Sequence, residues 1–254
     1  EKFVLTYAPF KWELNNFDDR PRFKGKHSFL ISYKRFYKVF LYILDFMSKF
    51  NSETKILDVG SYPGNMIKLS NNLFKDKLLE YACIGLSYDD KFIEGVKDFN
   101  VKCINSEIDP SFPSAKEVRD WGIKNYDLAY LLDTIEHLVE PSFCLDQINK
   151  SLKKNGYLII TTDNITNFLY IQDMLRKGRS PNVPFLLSSK VYQGDWRPHN
   201  REYSKEELAY LLEYSGFKII KHEYFDRQQS EYKFNSSKTK IVSHNIKWGL
   251  KHGL

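Results

Sequence analysis

Cysteine is scarce in this 254-residue chain: there are three, and no two stand in CxxC spacing. That leaves no disulfide framework and no thiolate metal site to build on. Cys83, Cys103 and Cys144 lie inside apolar runs, so they read as small core hydrophobes of a protein held in a reducing compartment, the cytoplasm. A long uncharged apolar run is also missing. The most hydrophobic segment, FLISYKRFYKVFLYILDFMSKF (29–50), is interrupted by Lys34, Arg35, Lys38 and Asp45. Its longest uncharged stretch is far too short to span a bilayer, and it reads as a core-packing helix. No repeat, low-complexity tract or signal peptide is visible, and the chain starts at Glu1 without a Met. The charge excess is mild and spread out: 38 basic against 32 acidic residues give +6, with no basic tail or block. That would favour anionic small molecules over nucleic acid, but a soluble protein that happens to be basic is the better explanation.

What is present is enough apolar material, 42% with 16% aromatics, for a substantial core in one large domain. From residue 55 onward short apolar runs alternate with longer amphipathic ones. KILDV (55–59), YACIGL (81–86), VKCI (101–104), YDLAYLL (126–132) and YLIITT (157–162) read as strands. Between them lie helical stretches at NMIKLSNNLF and FCLDQINKSLKK, the second stopping at Asn155-Gly156. SKEELAYLLEYSGF carries a capping signature, with Ser204 as N-cap, Glu207 three residues on and Gly216 past the end. A sixth strand is expected over 217–225. This rhythm predicts an α/β fold with a mostly parallel sheet and helices on both faces. Residues 1–50 read as an aromatic, basic segment plus a packing helix, and 51–254 as the main domain. An insert over 163–203 leaves the fifth strand, where it is placed to roof a site beyond the strands' carboxyl ends.

Two stretches carry chemistry. ILDVGSYPGNM (56–66) puts Asp58, Gly60, Ser61 and Gly64 at a strand-to-helix turn, where glycines let a ligand approach the backbone and the helix N-terminus offers N–H groups. The spacing is DxGxxxG, not the GxGxxG of a dinucleotide site, and a tight turn needing glycine would look the same. LLDTIEHL (131–138) sets Asp133, Glu136 and His137 at i, i+3 and i+4, one face of a helical turn. Two acids so placed repel unless something positive sits between them; the plainer alternative is a solvated helix start with acids near its N-terminus.

ILDVGSYPG, the YDLAYLLDTIEHL…YLIITT segment and REYSKEELAYLLEYSGF together resemble class I S-adenosylmethionine-dependent methyltransferases over roughly 50–225. The resemblance implies a Rossmann-like, seven-stranded, mostly parallel sheet and S-adenosylmethionine as cofactor. Asp58, Gly60, Ser61 and Gly64 would lie along its methionine end. Ser87, where the family usually has an acid, would stand at the ribose, with Asp89 nearby, and Asn105 and Glu107 would lie near the adenine. Tyr62 stands where the family usually has another glycine. Asp133, Glu136 and His137 are similar to the E-x-x-E-H triplet with which small-RNA 2′-O-methyltransferases and ubiquinone-pathway O-methyltransferases hold a divalent cation. HNREYS (199–204) resembles the H-x-x-E-W-T that brings the fourth ligand, which would be His199. Imidazole in the set favours Mn²⁺ or Fe²⁺ over Mg²⁺.

The reaction implied is O-methylation of a polyol. A divalent cation can lower the pKa of a bound water from ~15.7 to ~7, and a hydroxyl should respond similarly. Without metal, His137 or His199 would be the general base. Arg176, Lys177 and Arg179, with Arg197 and Arg201, could clamp a pyrophosphate, or be only a solvated charge cluster. The expected acceptor is a nucleotide-linked sugar in a bacterial-type surface or capsular polysaccharide pathway. The alternatives are a metal-free small-molecule methyltransferase, an RNA 2′-O-methyltransferase and a non-catalytic cofactor-binding scaffold.

Overall fold

The computed structural model describes residues 26–49, 52–62, 64–85, 88–111, 120–178 and 199–225. The apolar segment near the start forms helix α1 (Lys26–Lys49). Phe36, Val39, Phe40, Ile43 and Phe46 recur at spacings of three and one, which is one helical face, and all five are buried. Each contributes about 1.5–3 kcal/mol by leaving water. The charged Lys38 and Asp45 fall on the other side, which is why so apolar a stretch packs on a sheet instead of entering a membrane. No helix among the described residues is long and apolar enough to cross one.

Five strands follow: β1 (Thr54–Val59), β2 (Leu78–Gly85), β3 (Val101–Asn105), β4 (Tyr126–Leu132) and β5 (Leu152–Thr161). They form one sheet in the order β3-β2-β1-β4-β5, and every pair is parallel. Helices α2 (Asn65–Phe74), α3 (Asp90–Val96) and α4 (Pro141–Ser151) make the crossovers. Helices α5 (Phe168–Lys177) and α6 (Lys205–Tyr214) come after β5. The central strands β1, β2 and β4 are largely buried on both faces, so they read as apolar runs without alternation. Ile56, Tyr81, Cys83, Leu128 and Tyr130 pack toward α1 and α2. Leu57, Val59, Ala82, Ile84, Ala129 and Leu131 share the opposite cluster with Cys144, Leu145 and Ile148 of α4 and Leu212 of α6. All three cysteines are free; Cys83 and Cys144 are buried.

Four expectations change. The sheet has five strands among the described residues, not seven. The expected strand over 217–225 is irregular chain. The helix expected to run to Asn155 ends at Ser151, and β5 begins at Leu152. Here tertiary pairing overrides local propensity: Tyr126 pairs with Leu152 and Leu128 with Tyr157, so β5 bulges between them, with Asn155 at φ 64°. The fourth change concerns Asp133–His137, described below.

The capping box of α6 forms as the sequence implies. Ser204 Oγ accepts from Glu207 N at 3.2 Å, and a Glu207 carboxylate oxygen accepts from Ser204 N at 2.9 Å. Ser204→Ala is expected to lower stability by about 1 kcal/mol, read from the urea midpoint at unchanged slope.

The segment after β5 is pinned at both ends. Asn164 and Tyr203 form a parallel bridge, with Ile165 N donating to Tyr203 O at 3.2 Å. Residues 179–198, the middle of the expected insert, lie outside the described residues, as do Ser87, Arg179 and Arg197.

Candidate functional site

The first part of the site is the turn leaving β1. Gly60 has φ +70° and its N–H donates to Ile84 O at 2.8 Å, which holds the turn over the end of β2. A Cβ at Gly60 would fall 2.5 Å from Thr134 Oγ1, so both backbone geometry and packing require glycine. Gly64, at φ +94°, caps α2 without any side-chain hydrogen bond, which leaves first-turn N–H groups directed beyond the strand ends. Ser61 is buried, with its Oγ 2.7 Å from the Tyr88 hydroxyl. Asn105, the last residue of β3, accepts the Tyr88 N–H on Oδ1 at 3.0 Å. Glu107 Oε1 accepts from the N–H groups of Ile108 and Asp109. Asp89 caps α3 by accepting from Phe92 N.

Gly60, Ser61, Gly64, Asn105 and Glu107 thus gather at the carboxyl ends of neighbouring strands, the usual ligand edge of an open α/β sheet. Asp58 is turned the other way. It is 3% exposed, and Oδ2 accepts the Tyr81 hydroxyl at 2.6 Å. Burial pushes its carboxyl up to about 7, partly offset by that hydrogen bond. Tyr88 was not legible as a site residue, because nothing in its spacing distinguishes it. An uncapped helix start behind a glycine turn is the seat that a cofactor's amino-acid carboxylate needs, so these residues fit S-adenosylmethionine.

The second part sits beyond β4 and β5. Asp133 leaves β4 at φ +46°, outside any helix. Its N–H donates to Thr161 O at 2.9 Å, and Thr161 Oγ1 donates to its carboxylate at 2.7 Å. The chain then makes a 3-10 turn, Ile135–His137, anchored by the fully buried Ile135. The expected α-helical face joining Asp133 to Glu136 and His137 is therefore replaced by a turn. The Asp133 carboxylate accepts from Thr161 at the end of β5.

Glu136 is 1% exposed, and its Oε2 accepts the Thr162 hydroxyl at 2.9 Å. Its backbone carbonyl accepts the N–H groups of Asn200 (2.7 Å) and Arg201 (3.1 Å), while Asn200 Nδ2 donates to Leu138 O. This strap delivers His199 to the turn. The rings of His137 and His199 meet edge to face, centroids 4.7 Å apart. Glu136, His137 and His199 each offer one ligand atom, and the three lie within 4.8 Å of one another. A second group, Asp163, His199 and Glu202, meets the same criterion. Asp133 belongs to neither group.

One carboxylate and two imidazoles on adjoining turns are a donor set suited to Fe²⁺ or Mn²⁺. A carboxylate as buried as Glu136 also needs positive or hydrogen-bonding partners to stay ionised. The residues present therefore fit a divalent cation.

Thr162, Asp163 and Glu202 are neighbours that sequence reading passed over. Their signal was positional: two follow β5 directly, and the third stands three residues after His199. Of the expected phosphate-binding arginines, Arg201 is engaged by Glu207 and lies over the Tyr203 ring at 5.6 Å. Arg176 ends α5.

A family model described as "Methyltransferase domain" matches residues 31–222, most of the chain. No curated protein matches. Among solved structures, a protein from Bacillus halodurans described as a methyltransferase is 17% identical, with 71% of this chain and 70% of that one covered and a TM-score of 0.47. A SAM-dependent methyltransferase from Aquifex aeolicus is also 17% identical, covering 87% and 89%, at a TM-score of 0.45. Likeness at this level carries no statement about chemistry.

Proposed function

The chain belongs to the methyltransferase-domain family and is an S-adenosylmethionine-dependent methyltransferase, and from that premise we propose that it methylates a sugar hydroxyl with the help of a divalent cation. The observation that carries this reading is the meeting of Glu136, His137 and His199, from two distant stretches of chain, at the carboxyl end of the sheet. The sugar is a nucleotide-linked precursor of a surface or capsular polysaccharide, handled in the cytoplasm, where free thiols persist.

S-adenosylmethionine supplies a methyl group whose bond to sulfur breaks, with its electron pair, as the acceptor oxygen bonds to the methyl carbon. A divalent cation would make the acceptor hydroxyl a better nucleophile by favouring loss of its proton to solvent water. The rest falls to the protein. Gly60, Ser61 and the uncapped start of α2 hold the methionine end of the donor, and Asn105 and Glu107 border the adenosine. Glu136, His137 and His199 would hold the cation. Gly60 packs against Thr134, one residue before the turn that carries Glu136, so the donor turn and the cation turn share a contact. That contact sets the distance and angle on which an in-line displacement depends. Two neighbouring hydroxyls of a sugar would suit such a donor set, because both could bind one cation.

Metal analysis of the purified protein, followed by a turnover screen over nucleotide sugars with and without excess EDTA, tests the reading. Bound Mn or Fe and loss of turnover in EDTA are expected, with recovery on adding Mn²⁺. Full activity in excess EDTA counts against the cation, and labelling of some other acceptor class counts against the sugar.

A further inference from the structure

We infer that Glu202, with Asp163 beside it, is a positioning residue that fixes which nitrogen of His199 is presented to Glu136 and His137. The inference rests on the cation reading above and adds residues to that site.

Nδ1 of His199 lies 3.4 Å from Glu202 Oε1 and 3.9 Å from Asp163 Oδ2. An ionised carboxylate can only accept a hydrogen bond, so the nitrogen facing it carries the proton. In a neutral imidazole the lone pair then belongs to Nε2. A free rotor would offer either nitrogen, and a ligand needs one in a fixed place.

Backbone geometry builds this grip. Asn164 and Tyr203 pair in parallel, so the residues just before them, Asp163 and Glu202, stand side by side. Tyr203 is 4% exposed and packs in the core cluster that includes α6, which anchors the pair from below. On the other flank, Asn200 and Arg201 donate to the Glu136 carbonyl. His199 is therefore held between two backbone contacts, with the two acids nearest its Nδ1 and the His137 ring edge to face with its own. The Glu202 side chain is 3% exposed and that of Asp163 20%, so water competes little for the imidazole. Partners of this kind behind a ligating histidine typically contribute ~10–100-fold in metal affinity.

The test uses the full chain, Mn²⁺ titration followed by the paramagnetic signal of free Mn²⁺, and the visible absorption of a Co²⁺-loaded sample. Glu202→Leu keeps the volume and removes the acceptor; Glu202→Gln keeps an acceptor oxygen. Glu202→Leu is expected to weaken Mn²⁺ binding ~10–100-fold and shift the Co²⁺ bands. Glu202→Gln should restore most of the affinity, and calorimetric binding of S-adenosylmethionine should match wild type in both. Wild-type Mn²⁺ affinity in folded Glu202→Leu overturns the inference alone. A wild-type protein that takes up no Mn²⁺ overturns it together with the cation reading. If Glu202→Leu does not fold, Glu202→Ala, which also removes the acceptor, decides: Mn²⁺ binding weakened ~10-fold or more supports the inference, and unchanged binding in the folded variant refutes it.

Discussion

His199→Ala is expected to stop methyl transfer while S-adenosylmethionine still binds at close to wild-type affinity. The two effects separate because the two parts of the site hang on different strands. Donor contacts gather at the ends of β1 and β3. His199 arrives over the ends of β4 and β5, on the strap that pairs Asn200 and Arg201 with the Glu136 carbonyl. Removing the imidazole takes one of the three atoms that lie within 4.8 Å of one another. Glu136 and His137 remain, but two donors are a poor hold on a divalent ion against water. The loss in turnover should reach at least the ~10²–10⁴ ascribed to one well-placed proton-transfer group. Bound metal should fall with it. Asp133→Ala supplies the contrast. Its carboxylate is bonded to Thr161, so metal content should be largely kept, and any effect should appear first in thermal stability. Labelled methyl transfer, metal analysis and calorimetry on both variants check this. Undiminished turnover in His199→Ala would remove the imidazole from the mechanism.

Asp58→Asn is expected to abolish a fall in stability that the wild-type protein shows as pH rises from about 4 to about 7. Asp58 is enclosed between sheet and helices. Tyr81, Cys83 and Tyr130 are its neighbours on that face, and among the described residues no cation acts on its carboxyl. Burial therefore wins over the Tyr81 hydrogen bond, and the folded-state pKa rises from 3.8 to about 7. The sign follows from linkage. Below pH 4 the group is neutral folded and unfolded. Between the two values the unfolded chain releases its proton and the folded one keeps it. The stabilisation is thus fully present below the unfolded pKa and lost as pH rises through the folded one, with an upper bound of roughly 4 kcal/mol. Glu80, Glu207 and Glu223, held low by hydrogen bonds and nearby cations, work oppositely but are exposed or partly so and act near pH 4. His222, lowered by burial, opposes the trend below its ordinary value of 6.5 and is largely solvated. Urea unfolding of both proteins from pH 4 to 8 isolates the difference. Parallel curves would show that Asp58 ionises freely in the folded protein.

Asp58 also shows how far a strand pattern can be read. Its position at the end of KILDV was plain, and so was the glycine turn after it. Which way its side chain points depends on the pleat, and the pleat is set by pairing with β2 and β4. The same distinction runs through the second cluster. Glu136 and His137 are neighbours in sequence, and local chemistry singled them out. Asp133 looked equivalent at helical spacing, but it leaves β4 with a left-handed backbone and its carboxylate accepts the Thr161 hydroxyl. Asp163 carried no signal beyond its place after β5, and reached His199 through a bridge between residues 164 and 203.

Local interactions act over a few residues, so the sequence alone determined the alternation of strands and helices, the capping box of α6, the glycines of the β1 turn and the apolar stripe of α1. Contacts between distant stretches needed the folded chain. Register at the start of β5, the five-strand order, the inward turn of Asp58 and the delivery of His199 onto Glu136 were decided only there. Each depends on which backbone groups find partners across tens of residues, and no local spacing encodes that choice.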